Sequence, residues 1–152
     1  MPDDDEGRLD RELIELLNEL RVLLPGVQIT FGFLLTVTFS VRFARLDDTE
    51  RGLFYLAFLL SALSAVVLTA PSSFHRLRWR QRDKEAMLRI SNWFAIAGTA
   101  LLAGALVCVV GLVVDIMYGT TMAIVTTVPV ALLIAICWYA IPLGRAVRRG
   151  DA

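Results

Sequence analysis

Histidine occurs once in the 152 residues, at His75, and cysteine twice, at Cys108 and Cys137. A lone histidine excludes a multi-histidine metal site within one subunit. No other spacing carries a catalytic or cofactor signature, so no catalytic, cofactor-binding or metal-ligating residues are expected, and the chain is not expected to be an enzyme. Both cysteines fall inside apolar stretches, and at about 1.5 Å rise per residue on antiparallel helices they lie roughly 13 Å apart in depth. They are expected to stay unpaired, as small apolar residues at helix contacts. A basic segment ahead of an early apolar run is also lacking. The chain opens with Asp3-Asp4-Asp5-Glu6 and has no apolar run before Val22, so no cleaved targeting peptide is expected.

Net charge is the last thing missing: fifteen Lys and Arg balance fifteen Asp and Glu. The balance hides a segregation. Residues 1 to 21 hold eight acids against Arg8, Arg11 and Arg21, while the segment from His75 to Asn92 holds six basic residues against Asp83 and Glu85. What is abundant is apolar: 57% of residues are hydrophobic and mean hydropathy is +0.64, more than a soluble domain of this length needs. The expected fold class is therefore an all-α integral membrane protein, with four transmembrane helices plus an N-terminal amphipathic helix.

The amphipathic helix is read from Leu9, Leu13, Leu16, Leu20 and Leu23, spaced four, three, four and three apart, with an acidic opposite face. Such a face does not seek anionic lipid, so its leucines are expected to pack on protein, with Leu13, Leu16 and Leu20 turned inward across the cytoplasmic end of the bundle. Residues 1–21 form this tail and helix, and 22–152 the membrane domain, with spans of about 22–43, 53–70, 93–115 and 120–143, each near the ~20 residues that cross a bilayer. Pro25 lacks a backbone N–H and Gly26 weakens a helix, so a bend or break is expected there. Pro71 is expected to end the second span, and Gly119 to make a tight turn. Small residues recur every fourth position: Gly32, Thr36, Ser40; Ala57, Ser61, Ala65, Thr69; Ala100, Gly104, Cys108; Ala123, Thr127, Ala131, Ala135. One such face per span predicts close helix packing, within or between subunits, and hence a homo-oligomer.

Placing both termini inside collects twelve of the fifteen basic residues on the cytoplasmic side and leaves Arg42, Arg45 and Arg51 outside, as basic residues near span ends require. Trp79, Trp93 and Trp138 then fall near the inner interface. The expected location is the bacterial cytoplasmic membrane, crossed several times.

Asn18-Glu-Leu-Arg-Val-Leu-Leu-Pro-Gly-Val-Gln28, Phe33-Leu-Leu-Thr-Val37, Arg51-Gly52, Ala70-Pro71 and Phe74-His75-Arg76 resemble an uncharacterised family of small four-span bacterial membrane proteins. The family is a domain of unknown function, some of whose members carry the label sodium:proton antiporter. The resemblance implies four spans and no established chemistry.

Transport of protons or cations typically keeps ionisable groups near the membrane midplane. Here the one acid within the spans is Asp115, some 22 residues past Trp93 and so roughly 33 Å along its helix, near the outer interface. Arg42 is expected at the same depth, which makes an ion pair geometrically feasible. At the inner interface Glu19, Arg21, Gln28, His75 and Arg76 are expected to converge, with His75 in the range of a pH sensor. Pro25-Gly26 beside Gln28 has the form of a broken-helix ion site, though a plain bend is the favoured reading. Arg76, Arg78, Arg80 and Arg82 are candidate contacts for anionic lipid headgroups; nucleic acid is not expected as a partner. The favoured function is a non-enzymatic membrane module that assembles with itself or a protein partner, and the alternative is an oligomeric proton or monovalent-cation transporter.

Overall fold

A computed structural model describes residues 2–78, 84–142 and 144. Among them every regular element is helical: α1 (Pro2–Thr38), α2 (Asp48–Arg78), α3 (Lys84–Tyr118) and α4 (Thr120–Ala135), with a 3-10 turn at Phe43–Arg45 and a turn of π-helix at Ile136–Ala140. Four stretches are long and apolar enough to cross a membrane: Ile14–Thr38, Asp48–Ser73, Met87–Tyr118 and Thr120–Ala140. The molecule therefore has a turn end, carrying the α1–α2 connection and Gly119, and a termini end. Trp79, Arg80, Arg82 and the arginines after residue 144 lie outside the described residues.

Of the bend or break expected at Pro25, the break does not occur. Pro25 lies inside α1, which runs unbroken for 37 residues, so the acidic amphipathic segment and the first span are one helix and no interruption marks the 21/22 boundary. A proline removes one intrahelical hydrogen bond and crowds the preceding turn. Here it sits on the exposed side of α1, while the opposite side is held by packing: Leu20, Val27 and Leu34, seven residues apart, are 2%, 0% and 0% exposed. Of the three leucines expected inward, the Leu13 side chain lies outside the described residues, and Leu16 and Leu20 do turn inward, but along the bundle and not across its end. They join Val27, Leu68 and Leu102 in an apolar cluster near the termini end.

The second span also passes its proline. Pro71 is buried within α2, which continues to Arg78; Ser73 Oγ donates to Thr69 O at 3.4 Å inside that helix and caps nothing that follows. At the other end α2 starts on a reciprocal cap. Glu50 N–H donates to Asp47 Oδ1 and Asp47 N–H to Glu50 Oε2, both at 2.8 Å, which satisfies two backbone donors that a helix start would leave open. An aromatic column, Phe31 on Phe58 at 5.0 Å, Phe58 on Phe54 at 6.5 Å and Phe54 on Phe43 at 4.9 Å, joins α1, α2 and their connection.

α3 is the spine, because its glycines admit helices on more than one side. A methyl at Gly98 would stand 2.5 Å from Leu68 of α2, and one at Gly111 would stand 3.3 Å from Thr127 of α4. At the first crossing Ser64 Oγ donates to Gly98 O at 2.8 Å in a fully buried position. α1 packs on α2 and α3, whereas α4 packs chiefly on α3. The arrangement is three packed helices with a fourth on the flank, less closed than a four-helix bundle. The α3–α4 link is one residue, Gly119, at φ +84° and ψ 168°, an extended positive-φ conformation essentially reserved to glycine that costs a Cβ-bearing residue about 1–3 kcal/mol.

Candidate functional site

The outer-end pair expected from sequence resolves differently. α1 ends at Thr38 and the chain unwinds toward the 3-10 turn, where Ser40 Oγ donates to Val37 O at 2.7 Å and accepts from Phe43 N–H at 3.3 Å. This carries Arg42 beside the end of α3, and Arg42 Nη2 donates to Ile116 O at 2.9 Å. A cation on the last carbonyls of a helix is favoured by their unpaired lone pairs and the negative end of the helix dipole. The acceptor is thus backbone, not the Asp115 carboxylate. Asp115 shares its face of α3 with Gly104, Cys108 and Gly111, at spacings of four, three and four. Gly111 on that face meets Leu53 of α2 and Thr127 of α4, so half-buried Asp115 belongs to the α2 and α4 side while Arg42 arrives from the α1 side.

Near the termini end, Glu19, Arg21, Pro25 and Gln28 are all exposed on α1. His75, Arg76 and Arg78 lie on the last turns of α2, and their side chains are outside the described residues, so the convergence expected there is carried only by helix position. Thr30, Thr36 and Thr38 each donate to the carbonyl four residues back, at 2.9, 2.9 and 3.1 Å, which settles their hydroxyls within α1. Gln28 is different: its amide faces outward about 10 Å beyond Arg21 at helical rise, inside the apolar stretch.

The small-residue faces divide in a way the sequence does not announce. In α2, Ala57 and Ser61 are buried; in α3, Gly104 and Cys108 are covered; in α4, Ala123 is buried and Thr127 and Ala131 half-buried. Gly32, Thr36 and Ser40 of α1 are exposed, and a methyl at Gly32 would meet nothing within 4 Å. Sequence spacing missed Gly98 and Ser64, the buried contact between α2 and α3, because neither falls on the four-residue repeat; Gly98 inside an apolar run was the available signal. Three hydroxyls, Ser61 Oγ, Thr127 Oγ1 and Tyr139 Oη, are buried with no hydrogen-bond partner among the described residues. Among those residues no three of His, Cys, Asp or Glu gather closely enough to hold a metal ion.

An all-helical chain with four apolar helices of spanning length, charged only toward their ends, has the form of a small polytopic membrane protein. Residues 2–142 match the model of a family of unknown function, DUF6328, and the chain belongs to that family. No curated protein and no solved structure matches it. The transporter alternative gains nothing from this geometry: Asp115 stands three residues from the end of α3, and Pro25 lies in continuous helix where a broken-helix ion site needs an interruption.

Proposed function

We propose that this chain is a non-enzymatic membrane module that works by assembling, first of all with a second copy of itself, in the bacterial cytoplasmic membrane with both termini on the cytoplasmic side. The observation that carries the reading is the uncovered face of α1, where Gln28 presents an amide beside exposed Gly32 and Thr36. A side-chain amide has donors and an acceptor together, so two copies satisfy each other. Hydrocarbon offers no partner to such a group, and membrane helices associate through interhelical hydrogen bonds of about 0.6 kcal/mol, at most about 1.7, together with close packing over small residues. The twofold arrangement this implies buries Gly32 against Gly32 of the second copy. The inside-positive distribution of Lys and Arg supports the orientation.

The test is the dimer fraction in liposomes as the protein-to-lipid ratio falls, read by energy transfer between labelled copies. Wild type should dimerise saturably, and Gln28→Leu and Gly32→Ile should shift the midpoint to higher protein density. Val125→Leu, on the exposed side of α4, should leave it in place. Energy transfer that only tracks random collisions at every ratio would refute self-assembly. A monomer that instead retains a co-purified protein, lost in Gln28→Leu, would move the reading to a heterologous partner.

A further inference from the structure

Between α1 and α3 at the turn end lies an apolar crevice of about 170 Å³. Leu34 and Leu112, both buried, floor it, and Phe33, Val113 and Met117, all partly exposed, wall it. Arg42 stands at its mouth. The α3 residues lining it run from Val109 to Met117, which at helical rise is about 12 Å, close to the roughly 15 Å depth of one leaflet's hydrocarbon.

We propose that this crevice is a lipid site: one acyl chain of an anionic glycerophospholipid lies along α3 between Phe33 and Met117, with its phosphate on the Arg42 guanidinium. The shape and the charge point to the same ligand. A guanidinium carries five N–H donors; the bond to Ile116 O uses one and holds the group at the end of α3, and the remaining donors suit the two-oxygen grip that arginine makes on phosphate. Asp115, next in sequence to the Ile116 acceptor, is on the other side of α3 and does not line the crevice. Asp47 and Glu50 each cap a backbone N–H at the start of α2. A zwitterionic lipid brings its own ammonium to the same phosphate, so the net-negative headgroup is preferred. This site is separate from the arginine-rich segment after α2 and does not depend on self-assembly.

The experiment is native mass spectrometry of the full chain released from detergent with phosphatidylglycerol or phosphatidylcholine added. Wild type should retain one phosphatidylglycerol at a concentration about tenfold lower than phosphatidylcholine. Arg42→Gln should erase that preference. Val113→Trp, which fills the crevice while leaving the cation in place, should weaken retention of both lipids about tenfold or more, with the lipid-free melting temperature as the control for folding. Equal retention of the two lipids by wild type would overturn the proposal. So would a preference that survives both substitutions, since the bound lipid would then sit elsewhere, as on the segment from Arg76 to Arg82.

Discussion

Replacing Gly98 with alanine places a methyl 2.5 Å from both Cγ and Cδ2 of Leu68 and 3.4 Å from the Leu68 backbone nitrogen. A δ-methyl alone can rotate aside; Cγ cannot move without displacing the whole side chain, and Leu68 is 0% exposed, so there is nowhere for it to go. Overpacking of this kind costs about 1–3 kcal/mol. Leu68→Ala alone removes the obstruction but leaves a cavity, at about 2–5 kcal/mol. In the double variant the new methyl occupies part of the vacated space. The pair should therefore cost less than the sum of the singles, by at least about 1 kcal/mol, the coupling expected of side chains in direct contact. Reversible unfolding of the purified protein in mixed micelles, by titration with a denaturing detergent and followed by helical circular dichroism, measures all four corners of the cycle. Wild-type stability in Gly98→Ala, or strict additivity in the double variant, would refute the idea that α2 and α3 meet at this point with no room for a Cβ.

Gly119→Ala keeps the length of the α3–α4 link but forces an alanine to φ +84° and ψ 168°; the same titration should show a loss of about 1–3 kcal/mol, and Gly119→Asn a similar one, because this region favours glycine alone. Asp47→Ala breaks the reciprocal cap of α2 and should cost about 0.5–2 kcal/mol, with faster amide exchange confined to the first turn of that helix; Asp48→Ala, one residue along, should leave exchange of the Glu50 amide unchanged.

The four spans were legible in the sequence because twenty or so consecutive apolar residues can satisfy their backbone in lipid in few ways other than helix. The turn at Gly119 was legible for a related reason: a lone glycine between two such runs leaves little other means of reversing the chain. The helical continuity at Pro25 and Pro71 was not. The cost of proline is calibrated on isolated or water-exposed helices, whereas here packing of Leu20 and Val27 on one helix, and of Leu68 and Pro71 itself on the other, holds the flanking turns in place. The cap at Asp47 and Glu50 has a spacing that sequence alone displays, an acid followed three residues later by a glutamate, and it was hidden only by the surrounding charges. The partner of Arg42 could not be read at all. A backbone carbonyl 74 residues away leaves no trace in side-chain identity, so the sequence pointed to the carboxylate expected at the same depth. Gln28 was found as a residue, but its outward direction is a property of which face the other helices take.

The single-glycine reversal between α3 and α4 has a consequence for how the molecule can be reached at its turn end. With no loop there, the turn end shows the surroundings the α1–α2 connection and the first turn of α2, together with Gly119 and its immediate neighbours. A soluble protein, an antibody or a protease approaching from that side meets almost nothing to hold. The long charged runs lie toward the opposite end, where α1 carries acidic residues in its first turns and α2 basic ones in its last. The molecule is nearly mute at its turn end and articulate at the other.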